Sequence, residues 1–129
     1  MSIDETKKLL LSNPHGGLFV YHYEIESSKE RRFLYLGDSG LAAVYHNSKV
    51  SEREFIHGEL LEFLDSKSFW VLNDFEYDGV FDGCEYLIVF KSRKGDGKVL
   101  HLSNPEYSES ADIHKLTLLI EREVFGPAK

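Results

Sequence analysis

Apolar positions recur at helical spacing in three stretches of the chain, and the segments between them alternate or run apolar as strands do. The first helix is expected over about residues 3–12, where Ser2 and Glu5 form an S-x-x-E capping box and Asn13-Pro14 supplies the stop. The second is expected over 52–66. Ser51 and Glu54 repeat the box, Ile56, Leu60, Leu61 and Leu64 recur on one stripe, and Phe55 and Phe63 widen it. Gly58 weakens that segment by about 1 kcal/mol relative to alanine. The third is expected over 111–125, with Ile113, Leu116, Leu119, Ile120 and Val124 on its apolar side and Gly126-Pro127 beyond its end.

Strands fill the remainder. Over Leu18–Glu26, Phe19, Tyr21, Tyr23 and Ile25 share one face and His22, Glu24 and Glu26 the other. Arg32–Leu36 and Leu41–His46 follow, joined by the turn string Gly37-Asp38-Ser39-Gly40. Phe69–Tyr77 alternates, Cys84–Lys91 contains the apolar run YLIVF, and Lys98–Ser103 follows a hairpin turn at Gly95-Asp96-Gly97. The order α-βββ-α-βββ-α, with short turns between strands, predicts an α+β fold with three helices on a largely antiparallel sheet of about six strands.

Composition narrows the class. With 129 residues, 42% hydrophobic and 29% charged, the chain reads as a single domain over 1–129 and excludes a disordered tail or a fibre. Cys84 is the only cysteine, which excludes an intramolecular disulfide framework and a cysteine-based zinc cluster. No apolar run approaches the roughly 20 residues that cross a bilayer. MSIDETKKLLLSNP lacks the features of a secretory leader, so the expected location is cytoplasmic.

Charge is where the chain is uneven. The formal net charge is -7, and residues 51–90 hold ten acids against only Arg53 and Lys67. Such a tract repels nucleic acid and attracts a basic protein or a cation. Its densest part, Asp74 to Glu85, matches the spacing of a calcium-binding EF-hand loop. Asp74, Glu76 and Asp78 stand at the first, third and fifth positions, Gly79 at the sixth, Asp82 at the ninth and Glu85 at the twelfth. The flanks FWVLN and YLIVF read as strands rather than helices, so a hairpin with exposed acids is the competing assignment, and no metal site or cofactor is assigned. His22, His46 and His101 are candidates for acid–base work or ligand binding in a small enzyme or binding domain, but no H-E-x-x-H or compact cluster joins them. Ser39 in G-D-S-G reads as a turn residue. The expectation is therefore a protein that is not an enzyme.

The tract that remains is acidic and aromatic. Asp74, Glu76, Tyr77, Asp78, Phe81, Asp82 and Glu85 form the candidate partner-binding set, with Phe81 as an exposed aromatic anchor at a hairpin tip. In size, charge and layout, and in the run from Asp82-Gly83 through YLIVF and LHLSNP to a closing amphipathic helix, the chain resembles the immunity proteins of bacterial toxin–immunity systems. The resemblance implies a cytoplasmic bacterial protein that binds and neutralises a basic toxin domain, often a nuclease, without touching nucleic acid or membrane.

Overall fold

A computed structural model describes residues 2–38, 40–47, 49–55, 58–76 and 83–126, with Phe75 and Glu76 described by backbone alone. Helix α1 (Ile3–Leu11) leads into β1 (Gly17–Glu24), β2 (Lys29–Leu36), β3 (Leu41–His46) and β4 (Lys49–Glu54). Two short helices follow, α2 (Glu59–Leu64) and α3 (Lys67–Trp70). Then come β5 (Phe75–Glu76), β6 (Cys84–Lys91), β7 (Gly97–Ser103), a 3-10 turn at Pro105–Tyr107 and α4 (Ala111–Leu119), which continues as a π-helical turn over Ile120–Val124. The strand order is β4-β3-β2-β1-β6-β7-β5. Six strands pair antiparallel, and the two-residue β5 adds in parallel at one edge.

The α+β class and the largely antiparallel sheet agree with the expectation; the inventory does not. There are four α-helices among the described residues, and the stretch expected to open the second helix is strand β4. Lys49–Glu54 pairs with β3 along its whole length, which engages the backbone groups that the Ser51–Glu54 box would have capped. The helix starts at Glu59 instead, after Gly58 in an extended conformation (φ -143, ψ -165). The strand expected over Phe69–Tyr77 is also replaced. Lys67–Trp70 is a helical turn that buries Phe69 completely and leaves Val71 65% exposed, and within the described part of that range only Phe75–Glu76 pair in the sheet.

The sheet has two unequal sides. Leu18, Val20, Phe33, Val44, Ile88 and Leu102 point to the main core, which α2, α3 and α4 close with Leu60, Phe69, Ile113 and Leu116. A smaller cluster lies on the outer side, where Leu10 of α1 packs on Phe19, Leu87 and Val89. The capping box of α1 forms as the sequence predicts, with the Ser2 hydroxyl accepting from the Glu5 amide at 3.1 Å. Because α1 packs on β1 and β6, with Leu34 and Leu36 of β2 against the same cluster, it leaves β4, β3 and the Arg32 end of β2 open on the outer side.

Candidate functional site

Of the expected partner-binding residues, Tyr77, Asp78, Phe81 and Asp82 lie outside the described residues, as do Ser39 and His57. Glu76 is placed by its backbone beside Leu102 in the β5–β7 pair. Asp74 sits just before β5 with its side chain 85% exposed, and one carboxylate oxygen lies 3.5 Å from the Lys98 ammonium. Lys98 is itself buried and also donates to the carbonyl oxygens of Leu72 (2.7 Å) and Trp70 (3.3 Å), so Asp74 belongs in part to a structural clasp. Glu85 lies exposed on the outer side of β6, opposite Tyr23. The acidic tract thus parts company: Glu52 and Glu54 ride on β4 at one edge of the sheet, while Asp74 and Glu76 flank the other. Of the two flanks of the EF-hand-like string, YLIVF is in strand β6 as expected, whereas FWVLN is not a strand but the end of the helical turn Lys67–Trp70 and the turn after it; among the described residues no three His, Cys, Asp or Glu side chains are grouped to hold a metal.

The open part of the outer side gathers residues that the sequence holds far apart. Register places Val50, Tyr45, Arg32, Tyr21, Leu87 and His101 in one row across β4, β3, β2, β1, β6 and β7. Arg32 lies between the rings of Tyr21 and Tyr45, 5.5 Å from each centroid, and ion-pairs with Glu30. Burial and Glu30 together push the Tyr21 phenol pKa up. Around this row stand Glu52, Glu54 and Glu85, with Leu41 53% and Val50 68% exposed. Tyr21, Tyr45, Leu41 and Val50 were not legible as a surface, because only the pairing of four strands brings them onto one face.

Two of the candidate histidines meet on the inner side. Register sets His46, Arg31, His22 and Tyr86 in a row, and Phe125 closes over it, 6.1 Å from the His46 ring and 6.4 Å from the His22 ring. His22 is 3% exposed and stacks on Tyr86 at 4.3 Å. Among the described residues neither of its ring nitrogens has a hydrogen-bond partner, and the carboxylate of Glu24 stands 3.7 Å away. Burial and the adjacent Arg31 cation push its pKa down, which favours the neutral ring. Glu121, from the π-helical turn, accepts from Arg31 at 2.8 Å and from the Tyr86 hydroxyl at 3.1 Å. His101 is on the opposite side of the sheet, so the three strand histidines do not form one site.

No protein-family model, curated protein or solved structure matches this chain.

Proposed function

We propose that this protein is a binding module of the immunity type, which takes a basic protein domain against the open outer side of its sheet. The observation that carries the reading is the pairing of exposed apolar area with unbalanced negative charge on one surface. Exposed Leu41 and Val50 and half-buried Tyr21 and Tyr45 supply contact area, and Glu30, Glu52, Glu54 and Glu85 surround it. Among the described residues of that surface the cation is Arg32, whose guanidinium is taken up by two tyrosine rings and Glu30. Aromatic anchors ringed by charge of one sign are the composition of a hot spot, and the charge speeds encounter with an oppositely charged partner. Edge strand β4, exposed at nearly every residue, extends the surface. The basic partner expected from the tract Asp74–Glu85 is retained here, with Glu85 as the member of that set on this surface.

The test is coexpression with a toxic basic domain encoded beside the gene. The unchanged protein should restore growth and form a one-to-one complex. The Glu52→Lys, Glu54→Lys double variant should keep its thermal midpoint while association slows by about tenfold or more. Growth restored equally well by that variant and by Tyr45→Ala would sink the proposal.

A further inference from the structure

A separate cavity of about 510 Å³ opens on the inner side of the sheet, at the end where β1 begins and β2 and β6 finish. Its wall is aromatic: Tyr35, Trp70 and Phe90 line it, with Leu61 from α2. The indole of Trp70 meets Phe90 edge-on at 6.2 Å. Glycines fix its base. Gly16 (φ +75) and Gly17 (φ +155) take backbone angles that side chains resist, and a Cβ on either would strike the backbone of the neighbouring strand. The Gly37 amide donates to the Gly16 carbonyl at 3.0 Å, which ties the same two segments together. The volume falls in the range of preformed small-molecule sites.

Several polar groups of this cavity lack a partner among the described residues. Tyr35 is 6% exposed, yet its hydroxyl hydrogen-bonds to no described residue. Among the described residues only the His22 ring nitrogens are sealed in the interior without a partner, so the oxygen of Tyr35, which lines the cavity, is not sealed. The Trp70 indole N–H likewise donates to no described residue. A phenol and an indole in an apolar wall orient a ligand when they find a partner. At the rim, Arg93 and Lys94 stand exposed on the β6–β7 turn without an ion pair among the described residues. Lys91 also lines the cavity and donates to the Leu11 carbonyl at 2.7 Å. The Lys91 ammonium is held by α1, so the cations available at the rim are Arg93 and Lys94, with Asp65 and Asp96 also in the lining.

From this geometry we propose that the cavity binds a small aromatic monoanion. Its ring lies against Trp70, Tyr35 and Phe90, and its acidic group reaches Arg93 and Lys94. Two rim cations offset by Asp65 and Asp96 suit one carboxylate or sulfonate better than a phosphate dianion. This site is independent of the partner-binding surface, which lies on the other side of the sheet.

Trp70 is the only tryptophan, so its indole amide resonance reports on the cavity without assignment. Titration of labelled protein with 2-naphthoate should move that resonance to saturation. The neutral 2-naphthamide should bind about fivefold or more weakly, and 2-naphthylmethylamine more weakly still. Arg93→Gln with Lys94→Gln should bring acid and amide to within about twofold of each other, because only the charge preference is lost. The proposal is overturned if no saturable shift develops by about 10 mM ligand. It is equally overturned if the amine binds as well as the acid, or if the acid keeps its advantage in the double variant.

Discussion

Arg31 and Glu121, ninety residues apart in the chain, meet in an ion pair in which one guanidinium nitrogen lies 2.8 Å from both carboxylate oxygens. The pair ties β2 to the π-helical end of α4. The same guanidinium sits 4.2 Å above the Phe125 ring, and the same carboxylate accepts from the Tyr86 hydroxyl. Arg31 is 20% exposed and Glu121 39%, so solvent screens the charge attraction and the value lies in the shared network. Arg31→Met is expected to lower stability by about 1–3 kcal/mol and Glu121→Gln by about 1 kcal/mol. In a double-mutant cycle read by urea unfolding the two should couple by about 1 kcal/mol. Additive losses would mean that the two residues act separately.

His22 holds two ring nitrogens inside the core that no described residue satisfies, and an unmade buried hydrogen bond costs about 1–3 kcal/mol. A phenyl ring of similar shape has no such groups and keeps the stack on Tyr86. His22→Phe should therefore leave stability unchanged or raise it by about 1 kcal/mol at neutral pH. A loss of more than about 2 kcal/mol would show that the imidazole has a partner, such as a buried water.

The same residue sets an acid limb. Its pKa is lowered in the folded protein, so below the ordinary histidine value of about 6.5 the unfolded chain takes up the proton first. Stability should be flat above that pH with respect to this group. It should then fall by up to about 1.4 kcal/mol per pH unit as pH drops toward the folded value. The His22→Phe variant should lack this limb. Cys84 shapes the other end: burial, with Glu106 next, pushes its thiol from 9.0 up to about 11. The unfolded chain then loses that proton first, and stability should decline as pH rises from about 9 toward 11, a decline that Cys84→Ala should reduce. Chemical denaturation across pH measures both limbs.

How far the sequence foretold this molecule depends on how local each signal was. The Ser2 cap, the Asn13-Pro14 stop, the Gly95-Asp96-Gly97 hairpin and the apolar run of β6 act within a few residues, and all four stand in the fold. The sequence signal places the second helix too early because Ser51 and Glu54 mimic a cap, while the deciding interaction, pairing of Lys49–Glu54 with β3, is tertiary. On β1 the alternation was legible but not which side carried the main core. Leu18, Val20 and His22 point inward because α4 and Phe125 arrive there from the far end of the chain. The same limit hid the outer surface, since Tyr45, Arg32 and Tyr21 become neighbours only through strand register.

Arg53 makes a further case of distant wiring. It is one of two bases in the acidic tract, yet its guanidinium turns onto the carbonyls of Glu123, Val124 and Gly126, with the Gly126 bond at 2.7 Å. These carbonyls lie at the C-terminal end of the last helical segment, where a cation is favoured and the acceptors have no partner within the helix. Arg53→Met should cost about 2–3 kcal/mol, with the loss shown as faster amide exchange over 120–126 rather than across the central strands. Uniform acceleration throughout the sheet would argue that β4 itself, not the cap, had been lost.

Lys98 and Asp74 separate a structural from a binding role for the start of the acidic tract. The Lys98 ammonium is buried at 8% exposure, donates to Trp70 and Leu72 carbonyls and lies 5.8 Å from the Phe69 ring, whereas Asp74 reaches it from solvent. Removing the lysine leaves two carbonyls near the end of α3 without a donor, so Lys98→Met should cost about 2–3 kcal/mol. Asp74→Asn should cost less than about 0.5 kcal/mol, because a carboxylate that exposed gains little from its ion pair. The His101 amide, which donates to the Asp74 carbonyl at 2.8 Å, gives a local probe. Its exchange should quicken in the lysine variant and stay unchanged in the asparagine variant. Equal losses in the two variants would mean that the carboxylate, rather than the carbonyls, anchors the ammonium, and would return Asp74 from the partner-binding set to the scaffold.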